Sequence, residues 1–201
     1  MTELEKMLHG QLYDAGDPEL CRQRLRCQEQ CYDYNALRPS QRAERQVLLD
    51  ALLGHMGTSP CIEQPFWCDY GWNLRVGDSF YANHGLVVLD AGGVTFGDRV
   101  FIGPSCGFHT SGHPIDARQR GQGLEYALPI RVGSDVWFGA GVQVMPGVTI
   151  GDDVVIGSGS IVTRDIPSHC VAVGNPCRVL RSITAEDRRD PSASCHDGGA
   201  S

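Results

Sequence analysis

Three kinds of side chain in this sequence could do chemistry. Histidine comes first: His113 stands in "HTSGHPID" between Gly112 and Pro114, and proline restricts the residue before it towards extended backbone. Imidazole titrates near neutral pH, so a histidine held in a loop can accept a proton and return it. His84, His109 and His113 would also suffice for a catalytic zinc, which takes three protein ligands and a water. Cysteine comes second, with nine residues from Cys21 to Cys195. Cys27-x3-Cys31 and Cys61-x6-Cys68 do not match zinc-knuckle spacings, so free thiols filling small apolar holes are expected, with no metal. Arginine comes third. Lys6 is the only lysine, which leaves arginines, backbone N–H groups and helix ends to hold any anionic ligand. No Gly-x-Ser-x-Gly elbow offers a seryl nucleophile.

These groups need a scaffold, and 201 residues can bury a substantial core. Lys plus Arg number 17 against 24 Asp plus Glu, a net charge of −7 that argues against nucleic-acid or anionic-membrane partners. With no signal-peptide pattern and no spanning run, a cytoplasmic protein is expected.

Residues 1–55 read as helical. Thr2-x-x-Glu5 is a capping box and Asp17-Pro18-Glu19 a helix start. The second helix places Leu20, Leu25 and Cys31 loosely on one face. Ser40 is expected to cap a third, with Val47, Leu48, Ala51 and Leu52 as its apolar stripe. These helices are too short and polar to stand alone.

Residues 56–184 carry their support. Val132, Phe138, Val144, Ile150, Ile156 and Val162 return every six residues, usually followed by glycine, and Phe96, Ile102 and Phe108 share the register. Val76 belongs to an earlier stretch offset from it, so a slip falls between Asn83 and Gly93. Period six excludes an α-helix and fits a short strand plus a tight turn. The apolar markers then stack inside a prism, with glycine expected to supply corner backbone angles. Residues 110–129 provide no inward markers and must loop outward, where function concentrates. The tail, 185–201, lacks apolar residues and is expected to be disordered.

The stretches "CDYGWN", "FYAN", "SGHPID", "VWFGAGV", "MPGVTIGDDVVIGSGSIVTRDIP" and "VGNPCRVL" resemble the hexapeptide-repeat acyltransferases, most closely the maltose and galactoside O-acetyltransferases. The resemblance implies a mainly β fold, a left-handed parallel β-helix with a helical N-terminal segment and an extruded catalytic loop. It implies transfer of acetyl from acetyl-CoA to a small-sugar hydroxyl by direct attack. The enzyme would be a homotrimer with sites shared between subunits.

By the same resemblance His113 is the general base. Asp14, Asp69 and Asn83 match acceptor contacts, although Asp17 competes with Asp14 for that position and is more simply a helix cap. Asn83, Trp137, Ala140, Ser158, Thr163, Arg164, Arg178 and Arg181 match coenzyme contacts. Ala140, where relatives commonly carry serine, would offer its backbone N–H to the oxyanion. A further acidic acceptor contact of the family falls at Ala91, beside Asp90. An antibiotic acceptor is the alternative within the family, and a zinc enzyme of carbonic-anhydrase type is the alternative outside it.

Overall fold

The computed structural model describes residues 1–189. Its body is a parallel β-solenoid of about 6 turns with three faces. One face stacks strands Phe66–Cys68, Leu86–Leu89, Gly107–His109, Gln143–Val144 and Ile161–Val162. The second runs from His55–Met56 to Thr149–Ile150, and the third from Cys61–Ile62 to Cys170–Val173. Strand Arg178–Ser182 folds back antiparallel on the end of the third face.

Every expected marker points inward and is buried, from Val76 through Phe108 to Val162. At the centre Phe80, Phe96, Phe108 and Phe138 form a column whose ring centroids lie 5.1, 4.8 and 5.2 Å apart, the last two pairs edge-to-face at 85°. Edge-to-face contact matches each ring's positive rim to its neighbour's negative face.

The glycines after the markers do a different job from the one expected. Corner residues with left-handed backbone include Ser79, Arg99, Ser105, Asp135 and Asp153, so these corners do not require glycine. The repeat glycines are instead set by close stacking of turns. A Cβ on Gly139 would lie 2.6 Å from the Ser158 backbone nitrogen, and one on Gly97 would lie 2.7 Å from the Gly133 carbonyl carbon.

The slip has a definite location. In the later turns Val132 pairs with Ile150 and Phe138 with Ile156, three hexapeptides apart. In the earlier turns Leu74 pairs with Val94 and Tyr81 with Phe101, two residues further apart. The extra two residues fall at the corner between the first and second faces, through Asp69–Asn73 and then Asp90–Gly93: Val88 to Phe96 spans eight residues where the stacked Val144 to Ile150 spans six. One turn later the same corner opens into the excursion 110–129. Thr110 ties these levels together: its hydroxyl donates to the Leu89 carbonyl at 2.6 Å and accepts from Gly92 N at 2.8 Å.

The N-terminal segment comprises α1 (Glu3–Leu8), α2 (Pro18–Ala36) and α3 (Arg42–Leu52). The Thr2–Glu5 capping box and the Asp17 cap both form. Ser40 does not cap α3; Gln41 occupies that position without a side-chain hydrogen bond. The buried face of α3 is Arg45, Leu49 and Leu52, while Val47 is exposed. On α2 the buried set is Leu20, Cys27, Cys31 and Tyr34, with Leu25 outside. Arg45 shifts the α3 stripe by reaching in to the Ile62 carbonyl (2.6 Å) and the Tyr34 hydroxyl (3.1 Å).

Among the described residues no helix is long and apolar enough to cross a membrane. The start of the expected disordered tail forms a 3-10 turn, Ala185–Asp187, and residues 190–201 lie outside the described residues.

Asp90 is fully buried in the extended corner. One carboxylate oxygen accepts from the backbone of Asp69 (3.1 Å) and Tyr70 (2.8 Å), and Oδ2 has no protein partner. Burial pushes its carboxyl up to about 6, against the pull of those N–H donors. A raised carboxyl favours the folded state below its unfolded value near 4, and that contribution is lost as pH rises through about 6. Asp90→Asn should therefore flatten the fall in stability between those pH values by on the order of 2–3 kcal/mol. Urea midpoints of both proteins across that range would check it, and parallel profiles would show that Asp90 does not titrate there.

Candidate active site

The excursion at the extended corner is ordered by its own short sheet. Ser111–Gly112 pairs antiparallel with Leu124–Ala127, and Tyr13–Asp14 of the N-terminal segment adds to the other edge. Gly112 pairs with Tyr126, whose ring covers it; a Cβ there would lie 2.4 Å from the ring. That contact explains the glycine beside His113. Beyond His113, Pro114 is buried, and Arg120 donates from Nη1 to the Pro114 and Ile115 carbonyls at 3.0 Å each. The histidine thus lies on a braced segment, although its side chain is 55% exposed.

Two neighbours orient the imidazole. Nδ1 lies 3.4 Å from the Leu124 carbonyl oxygen, which can only accept, so a proton on Nδ1 has a partner there. Nε2 is 3.8 Å from Glu125 Oε1. The other oxygen of Glu125 accepts from the Tyr13 hydroxyl at 2.8 Å. Burial, reinforced by Glu125, pushes the Tyr13 phenol far up, so it remains a donor. Glu125 and Tyr13 escaped the sequence reading. The pairing of Tyr13 with Glu125 joins strands 112 residues apart, and no local pattern marks it.

The same pairing sets Asp14 opposite Leu124, on the strand that pairs on its other side with Ser111–Gly112 just before the histidine. Asp14 is exposed, and its Oδ1 accepts from Gly16 N at 2.8 Å. Asp17 is occupied at the N-terminus of α2, accepting from Glu19 and Leu20. Asp69 lies on the corner beneath. Burial pushes its carboxyl up to about 6, with the Arg24 guanidinium pulling the other way. Arg24 donates to the Tyr70 hydroxyl at 2.8 Å and to the Ala15 carbonyl at 2.6 Å, fixing the helical segment to this corner. Ala91, where a carboxylate is absent, packs with Met7, Tyr13 and Tyr70 in a small second core.

A second group of the expected residues meets elsewhere. Asn83, Trp137, Ala140 and Ser158 line one open groove of about 300 Å³ with Tyr81 and Phe101. Strand register puts Tyr81, Phe101 and Trp137 in one outward row, and Phe101 and Trp137 are 52% and 56% exposed. The row continues through Val155 and Val171 to Arg181. The Ala140 N–H donates to Ser158 Oγ at 3.1 Å, so this hydroxyl occupies the expected oxyanion donor. Asn83 Oδ1 accepts from His84 N.

The arginines are not uniformly available. Arg181, matched to a coenzyme contact, forms a two-pronged pair with Asp187 at 2.6 and 2.7 Å. Arg178 donates to the Cys177 carbonyl, while Thr163 and Arg164 are exposed after the last strand of the first face. No side-chain hydrogen bond or ion pair among the described residues joins the histidine group to the groove group. His84 and His109 have their own partners, the Gln64 carbonyl and Gln143, and do not converge with His113 within one chain.

Comparison with known proteins agrees with both the coil and the helical segment. Residues 6–57 match the family described as the maltose acetyltransferase hexapeptide capping motif, and residues 129–164 match the bacterial transferase hexapeptide family of six repeats. The chain is 49% identical over 188 residues to a putative acetyltransferase of Saccharomyces cerevisiae, covering 93% of this chain and 96% of that one. Among solved structures, a maltose O-acetyltransferase from Clostridium difficile 630 is 44% identical with a TM-score of 0.90. That match covers 92% of this chain and 98% of that chain. A galactoside acetyltransferase in complex with coenzyme A is 40% identical, also at 0.90, over 93% and 94% of the two chains. With both its capping segment and its repeats accounted for, this chain belongs to the hexapeptide-repeat acetyltransferases of the maltose and galactoside O-acetyltransferase family.

Proposed function

We propose that the protein transfers the acetyl group of acetyl-CoA directly to a hydroxyl of a small sugar, with His113 as general base. The observation that supports this reading is the placement of the His113 ring on the braced excursion, with Nδ1 3.4 Å from the Leu124 carbonyl oxygen and Nε2 3.8 Å from Glu125 Oε1, so that a proton held on Nδ1 leaves Nε2 to accept. A sugar hydroxyl is scarcely ionised at neutral pH, and removing its proton as it attacks lowers the barrier. The oxygen bonds to the thioester carbonyl carbon while its proton moves to Nε2. The tetrahedral intermediate then expels the coenzyme thiolate, which takes the proton from the imidazolium. Glu125, 3.8 Å from Nε2, stabilises the charged ring between these steps.

The groove supplies the other substrate. Tyr81, Phe101 and Trp137 offer an apolar wall to the pantetheine arm, and Asn83 lies at its rim. When Ser158 Oγ turns to the coenzyme, the Ala140 N–H is released towards the oxyanion. Arg164 and Arg178 are the cations to attract the phosphates, whereas Arg181 must first exchange Asp187 for a phosphate oxygen. The family resemblance implies a homotrimer whose complete site forms between subunits, with the His113 group of one chain meeting the Trp137 groove of another. Asp14 and Asp69 face the acceptor, where carboxylates accept hydrogen bonds from sugar hydroxyls. The acidic chain and the absence of a spanning helix among the described residues fit work in the cytoplasm. Measuring thiol release with acetyl-CoA across maltose, glucose, galactosides and antibiotics tests the acceptor. Turnover confined to antibiotics would overturn the sugar assignment.

His113→Ala should lower kcat by 10²–10⁴-fold, roughly 3–5 kcal/mol of barrier, with coenzyme affinity preserved. Glu125→Gln, which keeps the shape and removes the charge, should cost about 2- to 5-fold in kcat, as expected for a part-exposed charge pair. Near-normal turnover in the first variant would remove His113 from the reaction. Trp137→Ala should raise KM for acetyl-CoA by roughly 10-fold through lost apolar contact, with little change in KM for the sugar. An unchanged coenzyme KM would place the pantetheine arm elsewhere.

A further inference from the structure

Three thiols from distant parts of the chain converge beneath α2. Cys27 and Cys31 stand one helical turn apart on its buried face, and Cys68 ends the first strand of the face on which the helix packs. Cys68 Sγ is 3.5 Å from Cys27 Sγ and 3.8 Å from Cys31 Sγ, and all three sulfurs lie within 4.8 Å of one another. They are 1%, 0% and 5% exposed and share their core cluster with Tyr34, Leu52 and Phe66. Sequence spacing hides the group, because Cys68 lies 37 residues beyond Cys31.

Small apolar filling would explain any one of these thiols. It does not select three sulfurs converging on one point. Sulfurs bound about 2.3 Å from a central ion in one plane lie roughly 4 Å apart, close to the separations already present. Thiolate ligands select soft metals. Zinc would require a fourth ligand, and the only cluster of metal-binding side chains found among the described residues contains these three alone.

We propose that Cys27, Cys31 and Cys68 form a three-sulfur site for a soft monovalent cation, with Cu(I) as the ion tested. Each sulfur that binds as thiolate releases its proton to solvent, and the metal keeps its oxidation state. The ion would fasten α2 to the coil directly before Asp69, on the acceptor-side corner. Entry requires local opening of α2, so loading should be slow. This site stands independently of the acetyl-transfer reading, and its test uses no activity measurement.

The test is an anaerobic titration of the reduced full-length protein with Cu(I) held by bicinchoninate. One equivalent should be withdrawn from the chelator. Cys21→Ser and Cys61→Ser, which alter exposed thiols, should leave that equivalent in place. Cys31→Ser and Cys68→Ser should weaken its binding at least about 100-fold, since even changes outside the ligand set commonly cost 10–100-fold. X-ray absorption of the loaded wild type should show three sulfurs at about 2.3 Å, and this readout needs no core variant to fold. Failure to compete with the chelator, two-sulfur coordination, preferential uptake of Zn(II), or full binding by a folded Cys27→Ser/Cys31→Ser/Cys68→Ser triple variant would each overturn the proposal.

Discussion

Strict stacking of one turn on the next governs this molecule. Successive turns approach so closely that Gly97 and Gly139 have no room for a Cβ, while the inward Phe96, Phe108 and Phe138 interlock edge to face. A coil under this constraint cannot vary its faces without losing register. Variation is confined to a corner, and here one corner takes it at three successive levels. Asp69, Asp90 and the excursion carrying His113 are consequently stacked at one edge of the prism.

The helical segment then turns that edge into a candidate site. Tyr13–Asp14 completes the small sheet of the excursion, Tyr13 holds Glu125, and Arg24 holds Tyr70. Without this packing the strand Leu124–Ala127, which pairs with Ser111–Gly112 before the histidine, would have an open edge.

Much of this was legible in the residues. The six-residue recurrence identified the inward markers, and the failure of that recurrence identified both the slip and the excursion. The role of glycine was less legible, because sequence spacing does not distinguish a corner angle from a close approach between turns. Helix faces were misplaced where a polar group went inside: buried Arg45 shifts the α3 stripe because Ile62 and Tyr34 supply partners. Glu125, Tyr13 and the three-cysteine cluster depend on contacts between distant segments, which carry no local signature. Arg181 matched a coenzyme position, yet its partner Asp187 lay in a tail expected to be structureless.

The proposed reaction has the His113 group of one chain meet the Trp137 groove of another. Subunit mixing tests it most directly. His113→Ala and a groove-blocking variant such as Ala140→Trp should each be nearly inactive alone. Unfolded and refolded together in equal amounts, they should recover roughly a quarter of wild-type activity, because that fraction of interfaces would pair two intact halves. Mixtures no more active than the separate variants, although shown to contain both chains, would contradict the account.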